Sequence, residues 1–74
     1  MSAMTDLHPI AAALRDIRHE MGLSQQDVAD RAGRWGRSVI CDYEHGRRQP
    51  RLDSLTDWAG ALGYIVTLEK AVDE

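Results

Sequence analysis

Apolar residues first fall into a helical rhythm at Ile10, Leu14, Ile17 and Met21, with Arg15, Asp16, His19 and Glu20 on the other faces. His8-Pro9 just before them predicts the start, because proline lacks an N–H at a helical position that does not need one. Gly22 predicts the stop. A second helix, QQDVADRA, follows Ser24, a good N-cap, and Asp27 sets a carboxylate beside the free N–H groups in a variant of the capping box. Val28, Ala29 and Ala32 form its apolar side, and Ala29 is small enough for a close helix crossing. Gly33 ends it, since glycine takes a left-handed C-terminal conformation without a Cβ penalty. RSVICDYEHG reads as a third helix, with Ile40 and Tyr43 on one face and Gly46 at its end. Pro50 disfavours helical geometry at Gln49 and makes RRQP a loop. The fourth helix carries Leu52, Leu55, Trp58, Ala59 and Leu62 at 3-and-4 spacing, up to Gly63.

The period then changes. YIVTLEK alternates Tyr64, Val66 and Leu68 against Ile65, Thr67 and Glu69, which predicts a strand. A lone strand leaves its backbone groups unpaired and is not stable by itself. Pairing with the same strand of a second copy resolves this, so a homodimer is expected; packing of the segment on its own domain is the alternative. The reading divides the chain into a domain at 1–63, a dimerisation strand at 64–70 and a tail at 71–74.

The whole chain has 74 residues and a formal charge of −3, which describes neither half of it well. Arg31, Arg34, Arg37, Arg47, Arg48 and Arg51 lie within 31–51 beside only two acids, Asp42 and Glu44, whereas the rest of the chain is strongly acidic. A single basic patch on an acidic protein is what orientation on a phosphate backbone requires. No apolar run is long enough to span a membrane. MSAMTDLHP lacks the basic-then-apolar order of a secretory leader. One cysteine, Cys41, allows no internal disulfide and fits a reducing cytoplasm, as a small helix residue rather than a redox switch. His8, His19 and His45 are scattered without cysteines at zinc spacing, so neither a metal nor another cofactor is expected. Without a nucleophile, paired carboxylates or a phosphate loop, the chain does not read as an enzyme.

Two short helices, a turn, and basic residues after the second helix describe a helix-turn-helix. GLSQQDVADRAG, SVICDYEHGRRQP and LDSLTDWAGALG resemble the Cro/repressor-type (XRE-like) helix-turn-helix family of phage and bacterial regulators. The resemblance runs from about residue 10 to residue 63, on Arg18 and Gly22, LSQ at 23–25, Ala29, Gly33, Ile40, YEHG at 43–46, Pro50 and Leu55 to Gly63. It implies a mainly α fold, a four-helix lambda-repressor-like domain plus one C-terminal β-strand paired across a homodimer. That strand is similar to one through which small antitoxin-like members dimerise. Between Gly33 and Ile40 the chain has one residue more than the family spacing, which lengthens the turn RWGR.

The resemblance also implies roles. Arg37, Ser38, Val39 and Asp42 fall where the family presents side chains to DNA bases. Arg37 suits guanine O6 and N7, Val39 a thymine methyl, and Asp42 a cytosine amino group or the orienting of Arg37. Ser38 has a helix-cap alternative and Val39 a core alternative. Gln25 is expected at a phosphate beside the second helix's N-terminus. His45, Arg47, Arg48 and Arg51 extend the phosphate set, and Arg34 and Trp35 join it from the turn, where Trp35 has capping of the turn as its alternative. Arg18 and Glu44 match a structural ion pair between the first and third helices. Arg51 stands where the family often has a serine-like cap, so the fourth helix is expected to begin later, capped by Asp53.

The sequence therefore reads as a dimeric, sequence-specific regulator of transcription, a repressor of phage or mobile-element type that binds a palindromic operator through the major groove. Its partners would be double-stranded DNA, a second copy and a protein such as a toxin or another regulator, in the cytoplasm at the nucleoid and away from membranes. An antitoxin or adaptor acting mainly through protein contacts is the alternative.

Overall fold

A computed structural model describes residues 7–71, so residues 1–6 and positions 72–74 of the expected tail lie outside the described part. It contains four helices: α1 (Pro9–Glu20), α2 (Gln25–Ala32), α3 (Arg37–His45) and α4 (Leu52–Ala61). Their starts differ in how they are fixed. The His8 Nδ1 accepts from the Ile10 N–H at 3.1 Å and caps α1 ahead of Pro9. At α2 the capping box is complete: Ser24 Oγ accepts from Asp27 N–H and Asp27 Oδ2 accepts from Ser24 N–H, both at 2.9 Å. The N-cap of α3 is Gly36, which has no side chain to offer, and Ser38 lies inside the first turn. Gly33 and Gly46 end α2 and α3 at φ of 74° and 76°, a backbone region that a Cβ would strain.

The start of α4 departs from the sequence reading. The helix begins at Leu52 with Arg51 as N-cap, not later at Asp53. The Arg51 carbonyl already accepts the first helical bond, from Leu55 N–H at 2.8 Å, and no side-chain cap is needed for that bond. Asp53 instead accepts from the neighbouring Ser54 N–H at 2.9 Å, within the first turn.

One core joins all four helices, through Ala11 and Leu14, Val28 and Ala29, Ile40 and Tyr43, and Leu55, Trp58, Ala59 and Leu62. α2 packs against both α3 and α4, with Ala29 at the crossing only 1 % exposed. Three residues expected on apolar stripes, Ile10, Met21 and Leu52, are exposed instead. On α1 the stripe that faces the core is Ala11, Leu14 and Arg18, at i, i+3 and i+7, and it is rotated from the stripe of larger apolar residues. Leu52 belongs to the first turn of α4, which extends beyond the core.

The expected strand is absent. Residues 64–71 form no strand among the described residues, so Tyr64, Ile65, Val66, Thr67 and Leu68 have no strand partner in the single chain, and the Tyr64 N–H donates to the Ala59 carbonyl at 2.9 Å. Val66 packs against the core, while Ile65 is 84 % and Leu68 97 % exposed. The physical reason is pairing: a strand needs a neighbour, and the described residues of the same chain provide none. No helix among the described residues is long and apolar enough to cross a membrane.

The capping box gives a pH prediction. The Asp27 carboxyl lies below its ordinary value of 3.8, chiefly because it accepts the Ser24 N–H and then through the Ser24 hydroxyl. A depressed folded-state pKa stabilises the fold above the ordinary value, and that contribution is lost as pH falls through the lower folded value. Thermal melts from about pH 5 down to about pH 2 should therefore show an acid loss of stability that is smaller in Asp27→Asn.

Candidate nucleic-acid interface

The frame beneath the basic surface is a buried ion pair. Arg18 donates from Nε to Glu44 Oε2 at 2.7 Å and from Nη2 to Glu44 Oε1 at 2.9 Å, with the two side chains 9 % and 2 % exposed. Arg18 Nη1 donates to the Leu23 carbonyl at 2.8 Å, and Gln25 Nε2 donates to Glu44 Oε1 at 3.1 Å. His19 Nε2 lies 3.2 Å from Arg18 Nη2. One guanidinium thus ties α1 to α3 and to the entry of α2. Gln25, expected at a phosphate, has one amide N–H directed at this pair.

Above the frame, α3 presents a mixed edge. Arg37 and Ser38 are exposed in its first turn, Val39 is half-buried and packs on the core, and Asp42 is half-buried one turn further on. Asp42 is engaged by Arg47 at 3.3 Å and by Arg48 at 3.6 Å, not by Arg37. The reason is the tight chain reversal at Gly46: Arg47 N–H donates to the Asp42 carbonyl at 2.9 Å, and the arginine is thereby returned over the last turn of the helix. The Arg47 guanidinium is held more firmly protonated, first by its contact with Cys41 Sγ and then by Asp42. His45 Nδ1 lies 2.8 Å from the Cys41 carbonyl oxygen, where its Nδ1–H tautomer donates a hydrogen bond.

The six arginines are therefore not equivalent. Arg31 donates to the Ala61 carbonyl at 3.4 Å. Arg34 donates to Asp57 and lies 4.0 Å from Asp53, both on α4, with its guanidinium carbon 4.8 Å from the centre of the Trp35 ring. Trp35 meets Tyr43 edge-on at 5.7 Å. Arg37 and Arg51 have no ion pair and no side-chain hydrogen bond among the described residues. Arg51 and Arg48 border a polar cavity beside the start of α4, together with Gln49 and Ser54. Among the described residues no three His, Cys, Asp or Glu side chains come together as metal ligands.

A helix capped by Ser24, a four-residue turn at 33–36 and a second helix exposing Arg37 make the α2–turn–α3 unit the centre of this surface. The family model described as Helix-turn-helix matches residues 14–68, from the middle of α1 into the tail. The chain belongs to the helix-turn-helix family. This family is one of DNA-binding transcription regulators, so α2 and α3 are the two helices of its motif. No curated protein shows a significant match to this helix-turn-helix chain.

Three features of the interface had no clear signal in the sequence. Gln25 with Glu44 and Arg34 with Asp57 join residues 19 and 23 positions apart, beyond any helical spacing rule. Asp42 with Arg47 spans five positions across a glycine reversal, and only the left-handed conformation of Gly46 brings them together.

The buried pair makes a stability prediction for the helix-turn-helix unit. Arg18→Met or Glu44→Leu alone strands a buried charge and should cost about 3–5 kcal/mol, while the double variant should recover most of that loss. Urea denaturation of the three variants checks it; equal losses in singles and double would show that the charges do not act as a pair.

Proposed function

We propose that this helix-turn-helix protein is a dimeric, sequence-specific repressor of phage or mobile-element type that reads a palindromic operator through the major groove. The observation that carries the reading is Arg37: it is exposed in the first turn of α3 and free of internal partners among the described residues. In helix-turn-helix proteins the N-terminal residues of the second helix meet the base edges. An arginine there matches the commonest specific contact, a bidentate pair to guanine. Ser38 and Asp42 extend the same edge, and Val39 offers an apolar contact from its half-buried position. Arg48, Arg47, His45 and Arg51 follow the reading helix and suit phosphates, and Gln25 retains a second amide N–H for the same purpose. Arg47 and Arg48 share Asp42, so their contribution is less than two full charges.

The dimer is supported by the tail. Tyr64, Ile65 and Leu68 are exposed apolar residues of one segment, and a strand from a second copy would satisfy the backbone of 65–70. Two domains so joined would address half-sites about one helical turn apart, about 34 Å. The same exposed residues favour a second reading, in which the chain is an antitoxin or adaptor that acts through a protein partner.

Selection of bound duplexes from a random pool should return an inverted repeat. Arg37→Ala should then lose about 1–3 kcal/mol of discrimination at one base pair of each half-site. Arg48→Ala should weaken all duplexes alike and reduce the log–log salt slope by about 0.9. A flat salt response in the wild type favours the protein-contact reading. Separately, Ile65→Asp should shift a dimer to monomer in sedimentation or light scattering, with the helical circular dichroism unchanged.

A further inference from the structure

The two helices of the motif are started in different ways. α2 is fixed by its capping box, whereas α3 follows Gly36 and has no side-chain cap. The turn between them is bounded by Gly33 and Gly36, and glycine leaves the backbone its widest freedom. Something other than local sequence must therefore hold the first turn of α3, where Arg37 stands. The structure supplies it from α4 and from the core. Arg34 in the turn donates to Asp57 and approaches Asp53 at 4.0 Å. Its guanidinium lies over Trp35, which meets Tyr43 edge-on at an interplanar angle of 89°. Tyr43 in turn stacks on Trp58 at 5.6 Å, and Trp58 is fully buried. The turn is thus held at two points, one ionic on α4 and one aromatic in the core.

We propose that Arg34 and Trp35 are positioning residues, which with Asp57 lock the turn and so set the direction from which Arg37 meets a base pair. This rests on the DNA-reading function proposed above, but it removes Arg34 and Trp35 from the set of phosphate ligands. Arg34 could reach a phosphate only by leaving Asp57 and Asp53, and two bare carboxylates would then remain close to the polyanion. The Asp57 hydrogen bond also holds the Arg34 guanidinium more firmly protonated, consistent with a stable pair. Arg34 and Asp57 are 41 % and 43 % exposed, and exposed pairs add little to global stability. The effect of breaking this one belongs in sequence discrimination rather than in melting temperature.

The two alternatives predict opposite signs for one substitution. If Asp57 restrains a phosphate-binding arginine, Asp57→Asn removes an acid near DNA and tightens binding. If Asp57 anchors the turn, the same change loosens Arg37 and weakens binding to the preferred sequence. Dissociation constants for the selected duplex and a scrambled one, measured over a salt series, separate them. Arg34→Gln and Asp57→Asn should each lower affinity for the selected duplex about tenfold, within the range of one base contact. The log–log salt slope should stay at the wild-type value, and the charge exchange R34D/D57R should restore most of the discrimination, with all melting temperatures close together. Tighter binding by Asp57→Asn, or a slope reduced by about 0.9 in Arg34→Gln, would make Arg34 a phosphate ligand and overturn the proposal. Wild-type protein that binds both duplexes equally would remove the DNA-reading function itself; a discriminating wild type with unaffected variants would remove only the clamp.

Discussion

Arg18 lies in the core-facing stripe of α1, and its guanidinium binds Glu44 of α3 through two hydrogen bonds and the Leu23 carbonyl through a third. That one group ties α1 to α3 and to the entry of α2. Hydrocarbon in its place would contribute as much or more to stability, because desolvation of two buried charges offsets most of their attraction. Direction is what the pair supplies and hydrocarbon does not. A forked guanidinium donates to both oxygens of a carboxylate in one plane and at one distance, so α3 is set relative to α1 and to the entry of α2. Gln25 fills a further acceptor site on Glu44, and this extends the constraint to the first residue of α2.

With the frame fixed, the protein's own acids decide which of its arginines remain available. Asp42 holds Arg47 and Arg48, Asp57 and Asp53 hold Arg34, and Arg31 reaches the carbonyl of Ala61. What remains without an internal partner among the described residues is Arg37 at the start of α3 and Arg51 before α4. A basic patch read as uniform charge is in fact graded. Its unpaired members stand at the start of α3 and just before α4, and its paired members can reorganise only at the expense of an internal contact. This grading matters for specificity, since phosphate binding rewards any cation while a base edge rewards one held in place.

The helices were legible because their signals are local. Proline at a first helical position, serine with a carboxylate three residues on, and glycine at a C-terminus act within a few residues, and the backbone follows them at α1, α2 and α3. The buried stripe of α1 was less legible. Ala11 and Arg18 face the core while the more apolar Ile10 and Met21 are exposed, and an alanine and a charged residue give no hydropathy signal for this. The tail differs from its pattern for a related reason: alternation at 64–68 reports a preference for extended pairing, but pairing needs a second strand, and the described residues of one chain contain none.

By itself the sequence determined the number of helices, the capping box of α2 and the family, because each of these depends on residues close together or on a linear pattern. It also determined that positive charge gathers around α3. Only the tertiary structure decided how that charge is shared, since Arg34 meets Asp57 and Gln25 meets Glu44 after the helices have packed. Those contacts depend on helix angles that are themselves products of the core and of the Arg18–Glu44 pair. For that reason a linear count of arginines describes the patch, while the fold selects which of them face outward without a partner.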